Sequence, residues 1–175
     1  NRLLREDDGL AEKALDPAAL SAQLPEFMTG CTLRPDYDPD SLGWLFDQAA
    51  RKTRHGTLRA HALRDGERRL VGWYAYYLRA GGTSEVLQIA ARQGAFDAVL
   101  RRLLAHAWRH GAAALSGRLD PRYVGELANR HCWFGHAGTW TLAHSRHPDV
   151  AAAIERGEAF LSRLEGEWWM RFVGG

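Results

Sequence analysis

One stretch constrains the fold of this chain more than any other: Glu85–Gly111, with the sequence EVLQIAARQGAFDAVLRRLLAHAWRHG. A short apolar segment, which predicts a strand over Glu85–Ala91, is followed at once by RQGA and then by an amphipathic segment. Apolar residues recur in that segment at helical spacing, so we expect a helix over Phe96–His110 that ends at Gly111. A strand that turns directly into a helix presents backbone N–H groups at the helix start, where they can bind an anion. Arg92–Ala95 is therefore a candidate phosphate loop.

The residues on either side of this unit predict a sheet. Alternating apolar residues and turn signals at Asp65-Gly66 and Gly81-Gly82 indicate a meander of antiparallel strands that ends in Glu85–Ala91. The other predicted strands are Thr57–Leu63, with Arg59 and His61 on a solvated face, Arg69–Arg79, apolar on both faces and therefore central, and Ala113–Leu119, which follows the helix. We expect the last of these to lie parallel to Glu85–Ala91, because a helix joins the two.

Capping residues and prolines predict the remaining elements. The predicted helices are Leu15–Phe27, capped by Asp16 and ended by Pro25, a helix that begins at Pro39 after Asp38, one from Pro121 to about Arg130, and His147–Gly157. The predicted strands are Cys31–Arg34, Cys132–Phe134 and Gly138–Ser145, with a final hairpin over Ala159–Phe172 that buries Trp168 or Trp169.

Composition excludes several classes of protein. Lys and Arg together number 23 and Asp and Glu 21, and the basic residues are spread along the chain, so a nucleic-acid partner is not predicted. No apolar run approaches the roughly 20 residues that span a bilayer, and the start has no apolar signal segment. Two cysteines are too few for a disulfide scaffold. We expect a cytoplasmic protein without a membrane or nucleic-acid partner.

The order of these elements resembles that of the GNAT N-acetyltransferase superfamily. The phrase TLRPDYDPDSLGWLF is similar to its first strand and helix, RLVGWYAYYL to its third strand, and Glu85–Leu119 to its fourth strand, main helix and fifth strand. The resemblance covers Cys31 to about Ser145. It implies an α+β fold: a mixed, mostly antiparallel sheet with a parallel, splayed strand pair, flanked by helices.

The resemblance also implies a site. In that superfamily acyl-CoA lies between the splayed fourth and fifth strands, and loop amides hold its pyrophosphate at the start of the main helix. An amine then attacks the thioester, and a carboxylate or water removes its proton. On this chain the implied donor-binding residues are Leu87 and Ile89 of the fourth strand and Gln93, Gly94 and Ala95 of the loop, with Glu85 as the candidate general base.

The chain departs from the superfamily pattern at five points. The loop is shorter than R/Q-x-x-G-x-G/A, Phe96 is bulky where a phosphate would approach, and Asp97 adds a like charge in the first helical turn. The tyrosine expected near Asn129 is missing, and only one helix fits between Arg34 and Thr57. We therefore expect the chain alone to bind acetyl-CoA weakly, with a dissociation constant of roughly 0.1 mM or more.

Metal sites are not predicted. His106 and His110 are four residues apart on one helix and share a side, but surface histidines explain the spacing more simply. His131, Cys132 and His136 are close in sequence, although their side chains alternate between faces if the segment is a strand.

Together these patterns predict a GNAT-related acyl-CoA N-acyltransferase-like domain with a degenerate pyrophosphate loop, with acetyl-CoA or another acyl-CoA as cosubstrate if it is active. The alternative is a non-catalytic GNAT-fold binding or scaffolding module with another ligand. We expect residues 1–30 to form a helical lead-in or linker, 31–146 the GNAT-like domain, and 147–175 a helix and hairpin packed on it. Because the chain lacks an initiator Met, we expect a piece of a longer protein. Its expected partner is a second GNAT-like domain in the same polypeptide or a homo-oligomer partner.

Overall fold

A five-stranded sheet lies at the centre of the computed structural model, which describes residues 9–135 and 143–165. Its strands are β1 (Ala11–Ala14), β2 (Thr57–Arg64), β3 (Leu70–Leu78), β4 (Thr83–Ala91) and β5 (Ala114–Ser116), and they are adjacent in chain order. The helices are α1 (Pro17–Ser21), α2 (Leu24–Phe27), α3 (Pro39–Arg51), α4 (Phe96–Arg109), α5 (Val124–Asn129) and α6 (Pro148–Glu155), with 3-10 turns at Thr53–His55 and Pro121–Tyr123.

The sheet is mixed in the way that the sequence predicts. Strands β1 to β4 pair antiparallel, whereas β5 runs parallel to β4 and the long helix α4 connects the two. The predicted α+β fold, with a mostly antiparallel sheet and one parallel pair, is confirmed. Asp38 caps α3 through the N–H of Ser41, and Gly111 follows α4 at a φ of +82°, so both predicted helix boundaries are also confirmed.

Strand β3 is central and separates two apolar clusters. Trp73 and Tyr77 point toward α1, α2 and α3, whereas Tyr74 and Tyr76 point toward α4. All four aromatic side chains are fully buried. Since side chains alternate along a strand, a strand that is apolar at every position must be covered on both faces.

The N-terminal region differs from the prediction in three places. Strand β1, which the sequence did not predict, joins the sheet through β2. The helix expected over Leu15–Phe27 is two short helices, and Pro25 lies in the first turn of α2, where its missing N–H costs nothing. Cys31–Arg34 forms no strand, because only Leu33 makes a bridge, to Ala159.

Other predicted elements are shorter or differently oriented. Strand β5 covers only Ala114–Ser116 and is partly exposed, and Cys132–Phe134 has no strand pairing. Trp108, whose place in the helical apolar spacing of α4 predicts burial, is 64% exposed, whereas the polar His106 is buried. The helix meets the sheet along a narrower face than its apolar residues suggest.

Part of the C-terminal prediction lies outside the described residues. This applies to Trp168 and Trp169, to most of the strand at Gly138–Ser145, and to the end of the hairpin at Ala159–Phe172. The described residues 161–165 form no strand. None of the described helices has the length and apolar character needed to cross a bilayer.

We expect Gly72→Ala to destabilise the fold. A Cβ at Gly72 would lie 2.5 Å from the carbonyl oxygen of Ala90 and 2.5 Å from Cγ2 of Val99, since α4 packs directly on the backbone of β3 there. Overpacking of this kind costs about 1–3 kcal/mol. The matched control is Gly43→Ala within α3, where nothing lies within 4 Å of the added Cβ; this change should stabilise by about 0.5–1 kcal/mol. Urea unfolding measures both, and equal effects would contradict the packing at Gly72.

Candidate functional site

The parallel strand pair opens along its length. Residues 83–85 of β4 pair with residues 114–116 of β5, but β4 continues to Ala91 without β5 beside it. A register shift between Ala75 and Tyr76 of β3 leaves Leu87 bulged between Val86 and Gln88 of β4. Bulges bend a strand and end its pairing, which accounts for the divergence of β4 from β5.

The predicted phosphate loop is a tight turn between β4 and α4. Gly94 has a φ of +77° and open space around its α-carbon, and the N–H of Ala95 donates to the carbonyl of Arg92. The Arg92 side chain points away from the loop mouth, because it donates to the carbonyl of Leu70 and to the carboxylate of Glu26. Gln93 and Gly94 are exposed, so the turn is open to a ligand.

Two side chains that were predicted to hinder anion binding at the loop, Phe96 and Asp97, do not hinder it. The ring of Phe96 is buried and stacks on Tyr123 with centroids 3.7 Å apart, so it does not cover the loop. Asp97 forms two hydrogen bonds with the Arg130 guanidinium, at 2.8 and 2.6 Å. That cation holds the pKa of Asp97 below its usual value and offsets its charge. The shortened spacing of the loop is the departure that remains.

The residues of β4 that were predicted to contact acyl-CoA lie at or near the bulge. Leu87 is buried and its carbonyl accepts hydrogen bonds from the N–H groups of Arg163 and Leu164, at 2.8 and 3.1 Å. Ile89 is half-buried on the face toward α4. Glu85, the predicted general base, forms an ion pair with Arg163. The segment at residues 162–165 thus lies along the edge of β4 where β5 has diverged.

This segment brings together a partly buried polar cluster that the sequence did not predict. Gln88 of β4 accepts from the indole N–H of Trp73 at 2.7 Å, and its amide donates to Ser162 at 3.2 Å and to Glu165 at 3.0 Å. The second carboxylate oxygen of Glu165 accepts from the N–H of Ser162 at 2.9 Å. Burial raises the pKa of Glu165 to about 7. A buried acid that titrates near neutrality can exchange a proton with a bound substrate.

A second polar cluster lies on the opposite face of the sheet. It joins Glu12 of β1, His61 of β2 and His106 of α4, whose ligand atoms all lie within 4.8 Å of one another. Desolvation, followed by the neighbouring His61, lowers the pKa of His106 to about 4. The prediction that His106 is a surface residue is wrong. It faces His61, which in turn does not lie on a solvated face as predicted.

Solved structures support the sequence resemblance. An acetyltransferase from Trypanosoma brucei is similar over 77% of this chain and 99% of its own, with a TM-score of 0.54 and 15% identity. Glucosamine-6-phosphate N-acetyltransferase from Arabidopsis thaliana is similar over 77% of this chain and 97% of its own, with a TM-score of 0.52 and 7% identity. No protein-family model and no curated protein sequence matches the chain. With its splayed parallel pair and main helix, the chain has the fold of the GNAT acetyltransferases.

Proposed function

We propose that this chain is an acyl-CoA-dependent N-acyltransferase domain in which the loop for the CoA pyrophosphate is shortened and binds CoA weakly. The divergence of β4 from β5 after Glu85 carries the proposal. Apart from the Leu87 carbonyl, which accepts from Arg163 and Leu164, it leaves an edge of β4 that no described strand pairs with, beside an exposed helix-start turn. Such an edge suits the amide-rich pantetheine arm of CoA, and the turn at Gly94 suits its pyrophosphate. The turn is accessible because the Phe96 ring stacks on Tyr123 and the Asp97 carboxylate pairs with Arg130.

Glu165 is the residue that we assign as general base. It lies on the face of the sheet opposite α4 and contacts Gln88, next to the bulged Leu87. An amine bound there would attack the thioester carbon; the new C–N bond forms, the C–S bond breaks and the CoA thiolate leaves. The amine proton goes to Glu165, whose pKa of about 7 suits this step. Glu85 remains the base that the resemblance implies, but its ion pair with Arg163 makes it less available.

A non-catalytic binding module is the second candidate. One observation favours it: the chain's own backbone at Arg163 and Leu164 already donates to Leu87, at the edge where β5 has diverged. Leu164 is fully buried there. If this segment fills the gap permanently, neither donor nor acceptor can reach β4.

Titration of acetyl-CoA into the protein separates the two functions. We expect saturable binding with a dissociation constant of roughly 0.1 mM, since one hydrogen bond to a charged group, worth about 1.5–3 kcal/mol, is lost with the shortened loop. Gly94→Val should weaken binding at least about tenfold, because valine disfavours the left-handed backbone that orients the loop amides.

The matched control for the titration is Gly81→Val. Gly81 also has a left-handed φ, of +72°, with open space around it, but it precedes β4 at the end away from the loop. The Gly81→Val variant should have the same backbone strain as Gly94→Val and should keep its affinity for acetyl-CoA. Absence of saturable binding, or equal loss in both variants, would reject donor binding at this loop and leave the non-catalytic module.

The proton assigned to Glu165 gives a prediction for stability. Its pKa is about 7 in the folded chain and has the ordinary value of 4.5 when exposed. Between these values the folded state holds a proton that the unfolded state has released, so stability is fully present below pH 4.5 and falls as the pH rises to 7. Melting scans should therefore show that the melting temperature of Glu165→Gln rises relative to that of the natural protein as the pH rises from 4.5 to 8.

Glu158→Gln provides the control for this pH dependence. Hydrogen bonding to Arg156 lowers the pKa of the exposed Glu158, so the natural glutamate contributes stability above pH 4.5 that is lost as the pH falls. The sign of the pH effect is opposite to that of Glu165. If the melting temperatures of Glu165→Gln and the natural protein differ by the same amount at pH 4.5 and at pH 8, Glu165 does not hold the proton.

A further inference from the structure

Three metal-ligating side chains converge beneath α4, in a place that the acyl-CoA site does not use. Glu12 and His61 lie on one face of the sheet, because the register pairs Glu12 with Leu63 and Ala14 with His61. His106 reaches this face from the last turn of α4. His106 is ten residues beyond Phe96 on the helix, about 15 Å from the loop at 1.5 Å per residue. The cluster is thus separate from the proposed donor site.

The distances within the cluster suit a small tetrahedral cation. Oε1 of Glu12 lies 3.2 Å from Nδ1 of His61 and 3.9 Å from Nε2 of His106. Zinc bonds of about 2.0–2.1 Å in a tetrahedral arrangement hold ligand atoms about 3.3 Å apart. The three atoms therefore reach bonding distance of one central cation with small side-chain movements.

Neighbouring tyrosines orient two of the three ligands. The Tyr76 hydroxyl lies 2.7 Å from Nδ1 of His106, which leaves Nε2 directed toward Glu12. The Tyr74 hydroxyl donates to Oε1 of Glu12 at 2.7 Å. Metal-bound histidines and carboxylates commonly have such hydrogen-bonded partners, which fix the ring orientation and the free nitrogen.

A plain ion pair explains the arrangement less well. One imidazole is enough to pair with Glu12, yet two imidazole nitrogens face the same carboxylate oxygen. Their rings lie only 4.3 Å apart between centroids, so both imidazoles can reach one ion. A cation bound by both rings and by Glu12 accounts for the position of the second imidazole.

We propose that Glu12, His61 and His106 form a zinc site, with a water as the fourth ligand. The donor set, two imidazoles and one carboxylate, suits Zn²⁺. Hard cations such as Ca²⁺ and Mg²⁺ prefer oxygen ligands, so they fit this donor set less well. Because the ligands come from β1, β2 and α4, bound zinc holds the N-terminal strand to the sheet and to the helix.

The experiment uses the full chain, stripped of metal with a chelator and titrated with ZnCl₂ in competition with a chromophoric chelator. We expect one zinc per chain, a rise in melting temperature on loading, and the visible absorption of tetrahedral Co²⁺ when cobalt replaces zinc. The readouts do not involve acyl transfer, so the result is independent of the proposed function. No binding, or binding without a rise in melting temperature, would overturn the proposal.

Variants identify the ligands without removing the buried His106. His61→Ala and Glu12→Gln should each weaken zinc binding at least about tenfold, and glutamine at position 12 can still accept from Tyr74. Circular dichroism confirms that each variant is folded.

The matched control for the zinc titration is His110→Ala. His110 stacks on His106, with centroids 4.2 Å apart, but lies outside the cluster of three ligands. This variant should keep its zinc affinity within about threefold, less than the tenfold of a lost ligand. Zinc binding that requires His110, or that persists unchanged in His61→Ala, would overturn the assignment.

Discussion

The arrangement of the molecule depends on a run of buried aromatic side chains in its central strand. Trp73, Tyr74, Tyr76 and Tyr77 of β3 are each 0% exposed, so each polar tip must find a partner inside the protein. The indole of Trp73 donates to Gln88, and the Tyr77 hydroxyl donates to the carbonyl of Ala49. The hydroxyls of Tyr74 and Tyr76 meet Glu12 and His106. The need to satisfy these groups places polar residues on both faces of an otherwise apolar core.

Those partners are also the residues with functional potential. Trp73 holds Gln88 beside the bulge in β4, and Gln88 in turn contacts Glu165 on the face opposite α4. On the other face, two tyrosines orient Glu12 and His106 next to His61. One strand thus supports a proposed proton-transfer site on one side of the sheet and a proposed metal site on the other, without a shared residue between them.

Much of the fold could be predicted because its signals are local. The apolar spacing of α4, the cap at Asp38 and the turns around β3 act within a few residues, and the structure agrees with them except at the exposed Trp108. The site could be predicted only in outline. The sequence indicated the loop at Gly94 and the edge at Leu87, but it suggested that Phe96 and Asp97 would block the loop. Tyr123 and Arg130, distant in sequence, turn both side chains to other contacts.

The sequence by itself determined the order of strands and helices from α3 to β5, the central position of β3 and the strand-to-helix turn, because hydrophobic periodicity and capping are encoded in neighbouring residues. Only the tertiary structure decided which distant residues meet. Strand β1 has the sequence AEKA, which lacks any strand signal, and pairing with β2 alone brings Glu12 to His61. Glu165 likewise acquires its raised pKa from burial against Gln88, not from its neighbours in the chain. Burial and long-range pairing determine the position of Glu12 and the pKa of Glu165, and neither can be predicted from a local sequence pattern.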